Sequence, residues 1–176
     1  LSRTANGSLS GSAKLDFETY VQRQFFRQII NAANQRLAKM TENEFLLQCR
    51  ELKDLKNQGE AGLNLDVYHL VNDAVRDVKS LSGGESFLAA LAMALGLADI
   101  VQNTAGAVTL DTMFVDEGFG SLDEESRERA IQILKQLAGE RGMAGIISHV
   151  SELKEQIEWK LEIRKDEKGS HASWNM

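Results

Sequence analysis

The sequence contains no proline and a single cysteine, Cys49. One thiol excludes an internal disulfide and a multi-cysteine zinc site, and it suits a reducing cytosol. The absence of proline fits long regular elements without proving them. Positive charge is also short: 20 Lys and Arg stand against 26 Asp and Glu, a net charge of −6. That balance excludes a strongly basic nucleic-acid arm or a polybasic membrane patch, so any DNA contact must come from a local patch. The longest uncharged apolar run, Ser86 to Ala98, falls well short of the ~20 residues needed to cross a bilayer. No secretory signal is legible, because Gly7, Ser8, Ser10 and Gly11 stand where an apolar segment would be needed. A cytoplasmic protein with no membrane contact is therefore expected. The 176 residues suffice for about one domain. The start at Leu1 rather than Met leads us to expect a piece of a longer protein.

Residues 1–14, rich in Ser, Gly, Ala and Asn, read as a flexible lead-in or the end of a coiled coil. From Asp16 the pattern changes. Phe17, Val21, Phe25, Ile29, Ala33 and Leu37 recur every four residues, with Phe26 and Ile30 widening the stripe, which predicts an amphipathic helix to about residue 40. The arginines of this helix read first as a solvated face; Arg23, Arg27, Arg36 and Lys39 are one candidate DNA face, and equally a surface beside a partner protein. Phe45–Cys49 and Leu63–Leu70 read as strands joined by a turn around Gly59 and Gly62. His69 has no second ligand at metal spacing and reads as a half-exposed strand residue, and Cys49 reads as a buried thiol.

Farther on, Leu81 opens a run of Ala, Leu and Met to Ile100 that is apolar nearly all round, predicting a buried helix. Thr112–Val115 reads as a central parallel strand, Ser121–Ala138 as a helix with an acidic first turn, and Met143–Ile147 as another buried strand. Trp159–Arg164 alternates and predicts a last strand. The alternating order implies an α/β fold, a mainly parallel sheet with packed helices.

Three short segments carry chemistry. In Leu81-Ser82-Gly83-Gly84-Glu85, a hydroxyl and two glycines at a helix start expose backbone N–H groups to a phosphate, with the helix dipole behind them. The plain alternative is a glycine-rich N-cap. Asp116-Glu117, followed by Gly118 and Gly120, stands at the carboxyl end of a buried strand, where open α/β sheets bind ligands. A carboxylate there suits Mg²⁺ held through water, and its neighbour suits a base for an attacking water. The alternative is an exposed acidic turn. His149, ending the next strand, either hydrogen-bonds a transferring phosphoryl group or caps the strand.

Taken together, the order and spacing resemble the ATP-binding-cassette family: signature motif, Walker B with its glutamate, D-loop and switch histidine. Asp116-Glu117-Gly118-Phe119-Gly120-Ser121-Leu122-Asp123 has glycine where transporters usually carry proline after the acidic pair. Ser86-Phe87-Leu88-Ala89-Ala90 lacks the basic, glutamine-rich start typical of transporter helices. Leu81–Ile100, this octet and Ile146-Ile147-Ser148-His149-Val150 look like the SbcC branch, the ATPases of a double-strand-break nuclease, over about residues 16 to 165. The resemblance implies that Leu81, Ser82, Gly83 and Gly84 form a signature whose loop meets the γ-phosphate of ATP on an opposing head, with Glu85 orienting it. It implies Asp116 for Mg²⁺ through water, Glu117 as general base, Ser121, Leu122 and Asp123 as D-loop, and His149 as γ-phosphate sensor.

No Gly-x-x-x-x-Gly-Lys-Ser/Thr run exists in the chain. In the SbcC family that Walker A loop lies in a separate N-terminal lobe, beyond a long coiled coil with a zinc hook. Residues 15–176 thus resemble the C-terminal lobe of an ABC-type P-loop NTPase head, with 15–40 the coiled-coil helix entering it and 81–150 the motif region. The implied cofactors are ATP and Mg²⁺. The implied partners are the N-terminal lobe, a second head in a homodimer, an SbcD-type nuclease and double-stranded DNA. The isolated chain is expected to bind ATP poorly and hydrolyse essentially none. A second reading is an SMC-like or RecF-like DNA-tethering head that uses ATP for engagement. Gly118-Phe119-Gly120 argues against it. A transport ATPase is a third.

Overall fold

A computed structural model describes residues 17–51, 63–105, 111–167 and 169–175. The expected lead-in at 1–14 and the turn at Gly59 and Gly62 lie outside these residues. Helix α1 spans Phe17–Met40. Its buried residues Ile30, Ala33, Leu37 and Met40 follow the helical period and face the core. The amino-terminal half departs from the expected stripe, since Phe17 and Phe25 are exposed. Arg23, expected in solvent, is instead 3% exposed and donates to the carbonyl of Arg50.

After α1, three antiparallel strands form a meander: β1 Phe45–Cys49, β2 Leu65–His69 and β3 Ala74–Asp77, in that order. Alternation buries Phe45, Leu47 and Val67 in the core, with β1 packed on α1. Cys49 is half-buried, and His69, also half-buried, lies beside Glu44. The third strand was not expected, because Ala-Val-Arg-Asp carries too short an apolar pattern to announce itself.

Helix α2, Gly83–Ala105, crosses α1 closely. At the crossing a Cβ on Gly96 would stand 2.6 Å from the Ile29 carbonyl oxygen and 2.7 Å from the Ala33 nitrogen. Both obstacles are backbone, so they cannot rotate away. Gly96→Val should therefore force the helices apart and cost about 2 kcal/mol. A melting temperature lowered by about 4–8 °C would show it, and an unchanged one would place the contact elsewhere.

The expectation that α2 is buried all round needs correction. Leu88, Ala89, Leu91, Ala92 and Leu95 are buried, but Leu97 and Val101 on the outer side are exposed. Once its charged residues are tolerated, Gly83–Thr104 is long and apolar enough to cross a membrane by length and composition alone. Here its Glu85 and Asp99 are ion-paired with Arg76 and Arg36, and one side packs on α1, as in a core helix.

Strand β4, Thr112–Asp116, pairs in parallel with β5, Met143–Ile147, joined through helix α3, Glu124–Arg141. This pair is the parallel part of the expected sheet; the other two sheets are antiparallel. Met113, Val115, Ala144 and Ile146 face the core with Ala130, Ile131 and Leu134 of α3. The opposite face is open, with Phe114 63%, Met143 57% and Ile147 54% exposed. These strands are therefore covered on one side only, not on both as their apolar runs suggested. A short helix α4, Ser151–Gln156, leads to an antiparallel hairpin of β6, Lys160–Asp166, and β7, Gly169–Asn175. The second strand of that hairpin carries little apolar pattern and was not expected.

Candidate nucleotide site at the strand ends

The parallel register fixes the first cluster. Asp116 pairs with Ile147 at the end of the ladder, and the Glu117 N–H extends it by donating to the Ile147 carbonyl at 2.9 Å. Glu117 takes a left-handed backbone conformation, φ +61°, at a cost of about 1–2 kcal/mol for a residue with a Cβ. His149, two residues beyond β5, meets it there: Nδ1 lies 2.9 Å from Glu117 Oε2 and 3.1 Å from Oε1. Both side chains are exposed, so a bound molecule could reach them without rearrangement. Asp116 is exposed beside them at the strand end.

The turn that follows is held by an aromatic lock. Gly118 has φ +92°, and a Cβ there would stand 2.1 Å from Phe87 Cδ2 on α2, so glycine is required on both counts. Phe87 also meets the buried Phe119 edge-on, with ring centroids 5.0 Å apart. The helix after the Ser-Gly-Gly loop thus carries the aromatic that shapes the turn after the acidic pair. Phe87 and Phe119 were legible as residues of the motifs, but not as partners.

Ser82 and Glu85 form a reciprocal cap on α2. The Glu85 N–H donates to Ser82 Oγ at 3.2 Å, and the Ser82 N–H donates to Glu85 Oε2 at 2.6 Å. The Ser82 hydroxyl and N–H both bond the Glu85 carboxylate, which ties the loop to the first turn of the helix. Partial burial pushes the Glu85 carboxyl up, but the Ser82 bonds and the Arg76 guanidinium outweigh it and hold the group below the ordinary glutamate range. Leu81 ends the 3-10 turn Val78–Ser80 just before this cap, donating its N–H to the Val78 carbonyl. Gly83 and Gly84 lie against Ser121, and a Cβ on Gly84 would approach the Ser121 carbonyl oxygen to 2.8 Å.

That contact brings in the third segment. Ser121 Oγ donates to the Gly118 carbonyl at 2.7 Å, Leu122 is buried, and Asp123 caps α3 by accepting from the Ser126 N–H at 2.8 Å. The Ser126 N–H bond holds the Asp123 carboxyl below its ordinary range. The expected helix from Ser121 begins instead at Glu124, after the 3-10 turn Phe119–Ser121, because the cap fixes its start. Arg127 donates to the Leu122 carbonyl at 3.0 Å and to the Phe119 carbonyl at 3.4 Å, clamping the turn from behind. Arg129 donates to the carbonyl of Met40 at 3.0 Å and pairs with Glu42, tying α3 to the end of α1. Neither arginine was singled out from sequence, since an arginine on a helix gives no sign of which carbonyls it will meet.

As a DNA face, the α1 residues separate. Arg23 is buried and Arg36 is paired with Asp99, whereas Arg27 and Lys39 are exposed. For a cation, no cluster of three or more His, Cys, Asp or Glu exists among the described residues. Asp116 alone still fits Mg²⁺, which keeps several waters and is commonly bound by one or two carboxylates plus substrate phosphates.

A family model described as SbcC/RAD50-like, Walker B motif, matches residues 62–136. The chain is 47% identical over 161 residues to the SbcC component of the SbcCD nuclease of Staphylococcus epidermidis, covering 92% of this chain and 16% of that protein. It is 44% identical over 171 residues to the Staphylococcus haemolyticus counterpart, with coverage of 95% and 17%. The chain therefore spans about a sixth of the length of these curated relatives. Among solved structures, one from work on ATP-driven dimerization and DNA-stimulated activation of SMC ATPases aligns with TM-score 0.66 at 18% identity, over 90% of this chain and 89% of that one. An Smc head from Pyrococcus furiosus, bound to the C-terminal domain of ScpA, aligns with TM-score 0.62 at 16% identity, over 90% and 37%. At such identity these likenesses establish the fold, that of an SMC-type ATPase head. Near-half identity sustained across nine-tenths of the sequence narrows the relationship further: the chain belongs to the SbcC/RAD50-like family.

Proposed function

We propose that residues 15–176 form the C-terminal lobe of an SbcC-type ATPase head that completes its nucleotide site with an N-terminal Walker A lobe. The observation that carries this reading is the Glu117–His149 pair at 2.9 Å, at the carboxyl ends of two parallel strands. Glu117 is the general base: its carboxylate takes a proton from the water attacking the γ-phosphate. His149 orients that carboxylate through Nδ1 and senses the phosphate. Asp116 would hold Mg²⁺ through water, and the ion would supply charge neutralisation for the phosphates. Ser82, Gly83 and Gly84 offer the hydroxyl and amides to ATP carried by a second head, while Ser121, Leu122 and Asp123 connect the two sites.

On this reading ATP clamps two heads together in the cytoplasm, and hydrolysis releases them to control an SbcD-type nuclease acting on double-stranded DNA. The relatives are named as components of the nuclease SbcCD, which supports that partner. The exposed Phe17, Tyr20 and Phe25 of α1 suit a helix that continues into a coiled coil. The SMC-like tethering alternative shares the fold, but the sequence identity favours SbcC.

The test is ATP hydrolysis by this chain alone and mixed with the N-terminal lobe. The chain has no lysine-bearing phosphate loop, so alone it should release no phosphate above background, with turnover appearing only in the mixture. Steady turnover by the isolated chain would refute the split-site reading.

A further inference from the structure

The Ser-Gly-Gly loop is held from outside its own helix. Arg76 stands on β3, opposite Val67 of β2. Its Nη2 donates to Glu85 Oε1 at 2.7 Å and its Nη1 donates to the Ser80 carbonyl at 3.2 Å, so one guanidinium spans the turn before the loop and the first turn after it. The two side chains are 33% and 23% exposed, which shields the pair only in part. Glu85 is thereby fully committed: Arg76 takes one oxygen, and the Ser82 N–H takes the other at 2.6 Å.

Arg76 is itself seated by the meander. Its neighbour Asp77 is paired with Arg50 at 2.7 Å, and Arg50 also pairs with Asp66 of β2 at 2.5 Å. Asp77 Oδ1 accepts from the Lys79 N–H at 2.9 Å, and its carbonyl accepts from Ser80 Oγ at 2.7 Å, fixing the turn that delivers the chain to Leu81. The strands that look peripheral to the site are thus connected to it by one side chain.

We propose that Arg76 is a positioning residue for the phosphate-contacting loop: through Glu85 it sets the direction in which the Ser82 hydroxyl and the adjacent amides are presented. The inference rests on the reading of residues 81–85 as a signature that meets ATP from a second head. Without Arg76, Glu85 Oε1 loses its partner and the carboxylate is free to turn, so the Ser82 N–H loses a fixed acceptor. Lysine would keep the charge but lose the planar fork that reaches Ser80 and Glu85 together. Because the pair keeps partial contact with solvent, at 33% and 23% exposure, it adds little to global stability, and the effect belongs in turnover rather than in folding.

The experiment uses the complete two-lobe protein with its coiled coil and compares Arg76→Gln, Arg76→Lys, Glu85→Gln, the Arg76→Gln/Glu85→Gln double variant and a Glu117→Gln control. Arg76→Gln is expected to lower kcat about tenfold, less than the roughly 10²–10³-fold cost of losing a direct electrostatic donor, because Arg76 acts only through Glu85. KM for ATP should stay within about twofold, because the opposing loop engages after ATP is bound. The melting temperature should move by no more than about 2 °C. Arg76→Lys should recover part of the rate, and the double variant should be no slower than the slower single one. A kcat within about twofold of wild type in Arg76→Gln, with Glu117→Gln inactive, overturns the proposal while leaving the ATPase reading intact. Normal turnover by Glu117→Gln instead overturns the reading beneath it. A rate loss that tracks a melting-temperature loss of more than about 5 °C in both Arg76 variants also overturns the proposal, by assigning a structural role. Should Arg76→Gln fail to fold, Arg76→Lys decides: a reduced kcat at unchanged KM supports positioning, and an unchanged kcat refutes it.

Discussion

Replacing Glu117 by Gln should stop ATP turnover in the assembled two-lobe head, lowering kcat by about 10²–10⁴-fold, the contribution of a placed general base. Glutamine keeps the shape of the side chain. Its amide oxygen can still accept from His149 Nδ1, which lies 2.9–3.1 Å from the two carboxylate oxygens in the native pair. The left-handed turn at Glu117 and the glycine at 118 that follows it are set by backbone and by Phe87, so neither is disturbed. What the amide cannot do is accept a proton from water. Nucleotide binding should therefore survive, and ATP-bound heads should accumulate as dimers. Single-turnover hydrolysis, read beside size-exclusion chromatography with and without ATP, separates the two effects. Retention of more than about a tenth of wild-type turnover would remove Glu117 from the role of base.

Phe114→Glu should strongly weaken pairing with the N-terminal lobe while leaving this chain as stable as before. Phe114, Met143 and Ile147 lie on one face of the β4–β5 pair and are 63%, 57% and 54% exposed, although their strands read as fully buried. A parallel sheet left bare on one side is unusual, because parallel strands are normally covered on both faces. The missing lobe is the cover that this reading requires. A charge placed at the centre of that face is cheap in the free chain and costly once water is expelled. Association of the two lobes should weaken at least about 100-fold, as for loss of an interface hot spot. The melting temperature of this chain alone should stay within about 2 °C. Unchanged association would show that the lobes meet elsewhere.

The difference between legible and illegible features follows from the range of the interactions. Ile30, Ala33 and Leu37 could be read because a helical period reports burial locally, whereas Phe17 and Phe25 keep the same period and are exposed. Periodicity says which residues share a face, not how far the covering layer extends. Strands β3 and β7 were invisible because their stability lies in hydrogen bonds to neighbours, with little side-chain pattern of their own. Arg23, Arg76, Arg127 and Arg129 gave no sign in sequence of the carbonyls and carboxylates they hold, since a long cation finds its partners only in three dimensions.

By itself, the order of residues determined the motif set: a Ser-Gly-Gly-Glu cap, an acidic pair closing an apolar strand, a glycine-bearing turn and a histidine closing the next strand. Each is short-range chemistry, written in neighbouring residues. Only the tertiary structure decided which of them meet. The parallel register places Asp116 opposite Ile147, and that brings Glu117 to His149 across 32 residues of chain. Phe87 joins the helix of one motif to the turn of another, and Arg76 ties the loop to a strand pair outside every motif. Such contacts depend on how elements pack, and packing is settled by the whole buried surface rather than by any local run of residues.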